Sequence, residues 1–400
     1  MPNADVIVVG LGAMGSAATY QLAKSGATVI GIDRYTPPHT FGSSHGESRI
    51  SRQAVGEGAD YVPLVLRSQE LWKEIEGDTG AEIFNACGVL MMRPADAKAA
   101  QHGVEDLFAT TIEMAESFRI SHEVFGSDEV RRRYPQLHVD NDYQAYFEPG
   151  GGFVRPENAV AAQLQLAHRK GAALHYDELV LSIAESTDGV FLTTDRDVYS
   201  AGQVVVSAGP WISELFPEPK ISSLFNVYRQ VMHWFPIDEG QVRSFEPEHF
   251  PVFSWAFGSS PSDYMYGFPL INGVDGGLKV ATGNYVETVA PNNIVRDVTE
   301  AETLATYDRC IRGRIPALGS RAIRSSVCMS TVTPDYGFTI DRHPDLEHVL
   351  LVSPCSGHGF KHSAAIGEAV AQEALTGRSD IDLNAFSLDR FQKNSEINFP

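Results

Sequence analysis

The chain has 400 residues, more than one ordinary domain, and its 43% apolar and 20% charged content describes a globule with ample core. With 51 acidic against 31 basic residues, its formal charge of −20 argues against nucleic-acid and anionic-membrane partners, which both demand clustered positive charge. Four cysteines (Cys87, Cys310, Cys328, Cys355) show neither metal nor disulfide spacing, so no metal is expected and a reducing cytoplasm is the simplest setting. No apolar run approaches the ~18 residues of a membrane span, and Asp5 and the glycines argue against reading the N-terminus as a signal peptide.

In chain order, residues 5–9 read as a buried parallel strand, 13–25 as a helix and 28–33 as the next strand, a βαβ unit. Gly10, Gly12 and Gly15 fit G-x-G-x-x-G at its first turn, with Ala13 and Met14 between the last two. Asp33 follows eighteen residues after Gly15, placed to hold ribose hydroxyls, with Arg34 beside it. This is a dinucleotide site, and the motif alone separates neither NAD nor FAD. Residues 37–49 read as a loop and 61–77 as a helix, while Pro156 opens an Ala- and Leu-rich helix ending near Gly171. A short buried strand then ends at Ala208-Gly209-Pro-Trp211. Period-two aromatic alternation between about 220 and 290 predicts antiparallel strands. Near the C-terminus, a strand at 349–353 breaks into Ser356-Gly357-His358-Gly359-Phe360-Lys361, a second glycine turn with a cation at its mouth.

These features predict an α/β protein with a discontinuous nucleotide-binding domain (1–85, 150–218 and 320–400) and a mixed, largely antiparallel β-sheet substrate domain (86–149 and 219–319). Several longer segments carry a resemblance. They are 37–52, Gly56-Glu57-Gly58, 61–72, Tyr266-Gly-Phe-Pro with Gly277-Leu-Lys279, Cys328-Met-Ser-Thr, Pro334-Asp with Phe338-Thr-Ile-Asp341, and Ser356 to Lys361. In the same order along essentially the whole chain, they resemble the monomeric sarcosine oxidase and N-methyltryptophan oxidase family.

The resemblance implies a glutathione-reductase-like FAD domain, a monomer, and oxidation of a secondary amine with reduction of O2 to H2O2. Read alone, Cys328 is a core hydrophobe, Lys279 a solvated lysine and Arg52 half of a surface ion pair. By resemblance, Cys328 carries the flavin as a thioether and Lys279 is the oxygen-activating cation. Arg52 and Lys361 hold the substrate carboxylate. His45 and Arg49 stand near the flavin ring, where positive charge favours its anionic reduced form. The flavin contacts include Ser43, Ser48 and Val180, and Tyr266 faces the substrate. Cys355 reads as a packing residue.

Two positions depart from the pattern. Sarcosine oxidases place a Tyr where this chain has Ser330, and a His shortly after the oxygen-activating Lys, where this chain reads Val280-Ala-Thr-Gly283-Asn284. Losing both rings is expected to enlarge the pocket and to favour N-alkyl or cyclic amino acids bulkier than sarcosine. Two further readings stand beside an oxidase: a flavin dehydrogenase serving another acceptor, and a non-catalytic flavin-binding module.

Overall fold

A computed structural model describes residues 3–98, 100–187 and 189–393. Two eight-stranded sheets organise the chain. The first is built on Asn3–Val9, whose run of β-branched residues is buried on both faces, as a central parallel strand requires. Its parallel neighbours are Val29–Ile32 on one side and Val198–Val206 on the other. Leu346–Ser353 joins Val198–Val206 in parallel, so both ends of the chain meet in one sheet. The antiparallel strands Val180–Ser186 and Gly189–Thr194 extend it.

Helices Ala13–Lys24, Pro156–Arg169 and Ser363–Thr376 pack together, the last burying an Ala-rich face against the first. Small residues permit this approach: a Cβ on Gly367 would collide with Ala17, and one on Gly15 with the Gly10 carbonyl. The first helix is thereby pressed onto the strand it follows, and its N-terminus is carried to the carboxyl edge of the sheet.

The second sheet runs Arg324–Val332, Asn226–Phe235, Leu278–Ala281, Tyr264–Gly267, Val252–Ala256, Val89–Pro94, Tyr143–Glu148 and Glu123–Gly126. Only Val252–Ala256 and Val89–Pro94 pair in parallel. The predicted mixed, largely antiparallel sheet is present, with one boundary corrected. The range 320–400 assigned to the FAD domain opens with Arg324–Val332, which pairs with Asn226–Phe235 over nine positions of the second sheet. The change of sheet therefore falls after Val332, because a strand goes where its backbone hydrogen bonds are met. Residues 1–2 and 394–400, the outer ends of the assigned ranges, lie outside the described residues. Among the described residues, no helix is long and apolar enough to cross a membrane, and no cluster of side chains could hold a metal.

Candidate active site

A cavity of about 960 Å³ lies between the two sheets and receives both glycine turns. At one end, Asn3–Val9 leaves the sheet at Gly10, where φ is +85° and a Cβ would sit 2.5 Å from the Ser207 carbonyl. The helix that follows is capped by Gly12, with no side chain satisfying its first N–H groups. The one exception is the Ala13 amide, which donates to Ser44 Oγ at 3.1 Å. Open amides and the positive end of a helix make an anion cradle. Asp33 braces it: its carboxylate accepts from the Leu11 amide at 2.7 Å and the Tyr35 amide at 2.8 Å. Arg34 stacks over Trp211 at 4.8 Å. Met14, Val180, Ala208 and Gly209 border the same end. These groups fit the pyrophosphate, ribose and adenosine parts of a dinucleotide.

In the middle of the cavity, the 43–49 loop carries the charge. Arg49 donates to the Ser43 carbonyl at 2.7 Å and the Ser48 carbonyl at 2.9 Å, and its guanidinium lies 3.9 Å from Cys328 Sγ. Burial pushes the Cys328 thiol up, opposed by Arg49 and Lys279. Four expected residues are not on the cavity wall: Gly15, His45, Ser48 and Lys279. Gly15 serves helix packing instead. The Lys279 ammonium donates to the Gly46 carbonyl at 2.7 Å, the Ser48 carbonyl at 2.8 Å and Ser48 Oγ at 3.2 Å. It stands 4.6 Å over the Phe268 ring, and no carboxylate among the described residues pairs with it. Burial and then Arg49 drive its pKa below the usual lysine value, whereas the three oxygen acceptors match the three donors of the ammonium form.

His45 requires a correction. Burial, reinforced by Arg49 and Lys279, lowers its pKa to about 3. That favours the neutral imidazole, so the positive charge of this loop rests on Arg49 and Lys279.

At the far end, Arg52 and Lys361 both line the cavity. Between them lies Glu57, which the sequence reading passed over although it sits in the quoted Gly56-Glu57-Gly58 segment. Its carboxylate is ion-paired with Arg52 and accepts from His102 Nδ1 at 3.0 Å. Burial would raise its pKa, but Arg52, Lys361 and His358 outweigh that and hold it well below the usual range. Lys361 donates to the His358 carbonyl at 2.7 Å, and burial lowers its pKa to about 7. Glu148, also missed, is fully buried beneath this group. It accepts from the Ala54 amide at 3.0 Å and the Tyr146 hydroxyl at 2.8 Å, fixing the backbone just after Arg52.

Tyr266 and Ser330 border this end, as do Gly357, His358, Gly359 and Phe360 of the second turn. The space expected to open beside Ser330 is not vacant. The ring of Tyr285, from the loop after Leu278–Ala281, borders the same part of the cavity as Ser330. Cys355 packs against the same residue: Ser330 Oγ is 3.8 Å from its sulfur, which also accepts from the Thr331 amide at 3.4 Å.

A parallel-sheet nucleotide cradle, opening on a cavity with buried cations at its far end, is the architecture of a dinucleotide-dependent enzyme. Residues 5–373 match the model of the FAD dependent oxidoreductase family, and the chain belongs to that family. Monomeric sarcosine oxidase of Streptomyces avermitilis is 40% identical over 386 residues, covering 96% of this chain and 97% of that protein. N-Methyl-L-tryptophan oxidase of Yersinia pestis (strain Pestoides F) is 36% identical over 393 residues, covering 97% and 99%. Among solved structures, NikD, an unusual amino acid oxidase essential for nikkomycin biosynthesis, superposes with a TM-score of 0.82 at 22% identity, covering 97% of this chain and 98% of its own. L-Proline dehydrogenase from P. horikoshii gives 0.79 at 21%, covering 98% and 99%. These two share the fold.

The Lys361 ammonium near pH 7 gives the site a pH dependence of definite sign. An anion binds the protonated form better, so attraction is complete below about pH 7 and fades above it, by at most about tenfold per pH unit. Benzoate, which carries no amine of its own, should therefore weaken in Kd from pH 6 to pH 9 when titrated against flavin absorbance. Lys361→Met should bind less tightly with a flat profile. A wild-type Kd that does not change across this range refutes the assignment of Lys361 to an anion site.

Proposed function

We propose that the protein is an FAD-dependent oxidase of secondary amino acids, N-alkyl or cyclic, which converts the C–N bond to an imine and reduces O2 to H2O2. The observation that carries this reading is the buried pair of cations, Arg52 and Lys361, facing a cavity that also holds the dinucleotide cradle. One carboxylate, Glu57, ion-pairs with Arg52, and none among the described residues contacts Lys361, which leaves room for a second carboxylate to which Arg52 offers a planar fork. The similarity to sarcosine and N-methyltryptophan oxidases supports an N-alkyl amine attached to that carboxylate.

Gly10 to Ala13 and Asp33 would hold the nucleotide of FAD, and Arg49, Cys328 and residues 357–361 its ring system. When bound, FAD accepts two electrons and a proton from the amine and returns them, with one further proton, to O2. The protein's part is position and charge. Arg52 and Lys361 orient the substrate by its carboxylate, and the Tyr264 and Tyr266 phenols, whose pKa burial raises, stay protonated around it. An amine bound neutral already carries its lone pair, so no general base is assigned. Lys279, buried without a carboxylate partner, supplies a fixed positive charge for a developing oxygen anion. Cys328, buried beside Arg49, is the proposed point of covalent attachment. Free thiols at all four cysteines agree with a cytoplasmic location, and a monomer is proposed.

Three measurements test this reading. In a panel of N-alkyl and cyclic amino acids, at least one should give stoichiometric H2O2 and its decarboxylated amine should not. Turnover only with an artificial electron acceptor refutes the oxidase assignment, and equal turnover of the amine refutes the carboxylate anchor. Acid precipitation should leave the yellow colour with the wild-type protein and release it from Cys328→Ser; colour lost from the wild type disproves the covalent link. Lys279→Met should keep flavin reduction by substrate and slow reoxidation by O2 about 10²–10³-fold. The reverse pattern in stopped flow would assign Lys279 to the substrate side.

A further inference from the structure

Three small residues from separate segments frame one ring. A Cβ on Gly283 would lie 3.1 Å from Tyr285 Cε2, and one on Gly357, where φ is +82°, would collide with the Tyr285 hydroxyl. Ser330, in the strand Arg324–Val332, lines the cavity beside it, paired across the sheet with Tyr228. The ring is steered edge-on by Tyr228, with centroids 5.6 Å apart at 80°, and by Tyr336, at 5.9 Å and 88°. Two of the three small residues lie in the segments where the chain departs from the sarcosine oxidase pattern: Ser330 where a Tyr is usual, and the 280–284 stretch that lacks a His. A side chain at 283 would compete with the Tyr285 ring for the same volume.

We propose that Tyr285 is the specificity-determining side chain of this cavity, reaching in from the neighbouring loop to take the place of the two missing rings and limiting the width of the substrate. Burial raises the Tyr285 pKa well above the usual phenol value, so the group is a neutral wall that carries one donor. The site then admits carboxylates whose side chain is compact or a single flat ring, and turns away fused rings. The inference rests on Arg52 and Lys361 anchoring a carboxylate.

The test uses the flavin-loaded holoenzyme and three unreactive carboxylates of increasing width: acetate, benzoate and 2-naphthoate, titrated against flavin absorbance. In the wild type, 2-naphthoate should bind more weakly than benzoate. Tyr285→Ala should raise the affinity for 2-naphthoate relative to acetate by about tenfold or more, the scale on which a hydrophobic pocket discriminates by size. Tyr285→Phe should keep the wild-type ratio within about twofold, since the ring remains. An unchanged ratio in Tyr285→Ala overturns the proposal. If Tyr285→Ala does not retain flavin, the reciprocal pair decides. Ser330→Tyr alone should lose stability and flavin, and the double variant Ser330→Tyr with Tyr285→Ala should recover both. A stable Ser330→Tyr protein with unaltered affinities for all three ligands also overturns it. No spectral response of the wild type to any of the three refutes the carboxylate anchor itself, a result distinct from either.

Discussion

Glu57, buried between Arg52 and Lys361, is the interaction on which the far end of the site depends. Stripping the partner from a buried charge costs about 3–5 kcal/mol, far more than an exposed pair is worth. The two cations are therefore stable inside the protein only while a carboxylate stands near them. One resident acid for two cations keeps Arg52 in place while leaving Lys361 poised near neutrality. A ligand carboxylate that completes the set meets groups already desolvated and positioned. Glu148 supports this arrangement from beneath, since its hydrogen bonds to the backbone after Arg52 fix where the guanidinium begins.

The cofactor end follows a different rule. Its cradle is made of unsatisfied amides and a helix terminus rather than of ions, and Asp33 braces the Leu11 and Tyr35 amides while each of its oxygens keeps a lone pair for a ligand. Positive charge is concentrated in the middle, on Arg49 and Lys279, both held by carbonyl oxygens of the 43–48 loop. Carbonyls orient a cation without cancelling its charge, as a carboxylate would. The same field, added to burial, keeps His45 neutral. Strong local potential and the suppression of a neighbouring histidine are two results of one arrangement.

The far end of the cavity gathers five chain segments. The 49–57 loop brings Arg52 and Glu57, the second sheet brings Tyr264, Tyr266 and Ser330, the 283–285 loop brings Tyr285, and the C-terminal turn brings Lys361. His102, which reaches Glu57 across forty-five residues of chain, adds the 100–105 segment to the wall. Packing here is collective: a side chain at residue 357 would collide with the Tyr285 hydroxyl, and one at 283 would press on its ring.

The sequence by itself determined what depends on neighbours within a few tens of residues. The Gly10–Gly15 turn, its flanking strands, Asp33 and the C-terminal glycine turn are legible because alternation, helical period and glycine spacing are local consequences of backbone geometry. Family-like segments added Arg49, Arg52, Lys279, Cys328 and Lys361; four of them line one cavity, and Lys279 lies buried behind it against the Gly46 and Ser48 carbonyls. Tertiary structure alone decided the rest. Arg324–Val332 joined the second sheet because its hydrogen-bonding partner lies about a hundred residues earlier, which no local pattern records. Glu57, His102 and Glu148 gained their roles, and His45 lost its charge, through burial beside groups distant in sequence. Tyr285 filled the space left at Ser330 for the same reason: volume and dielectric belong to the assembled interior, and a linear chain specifies them only once it has folded.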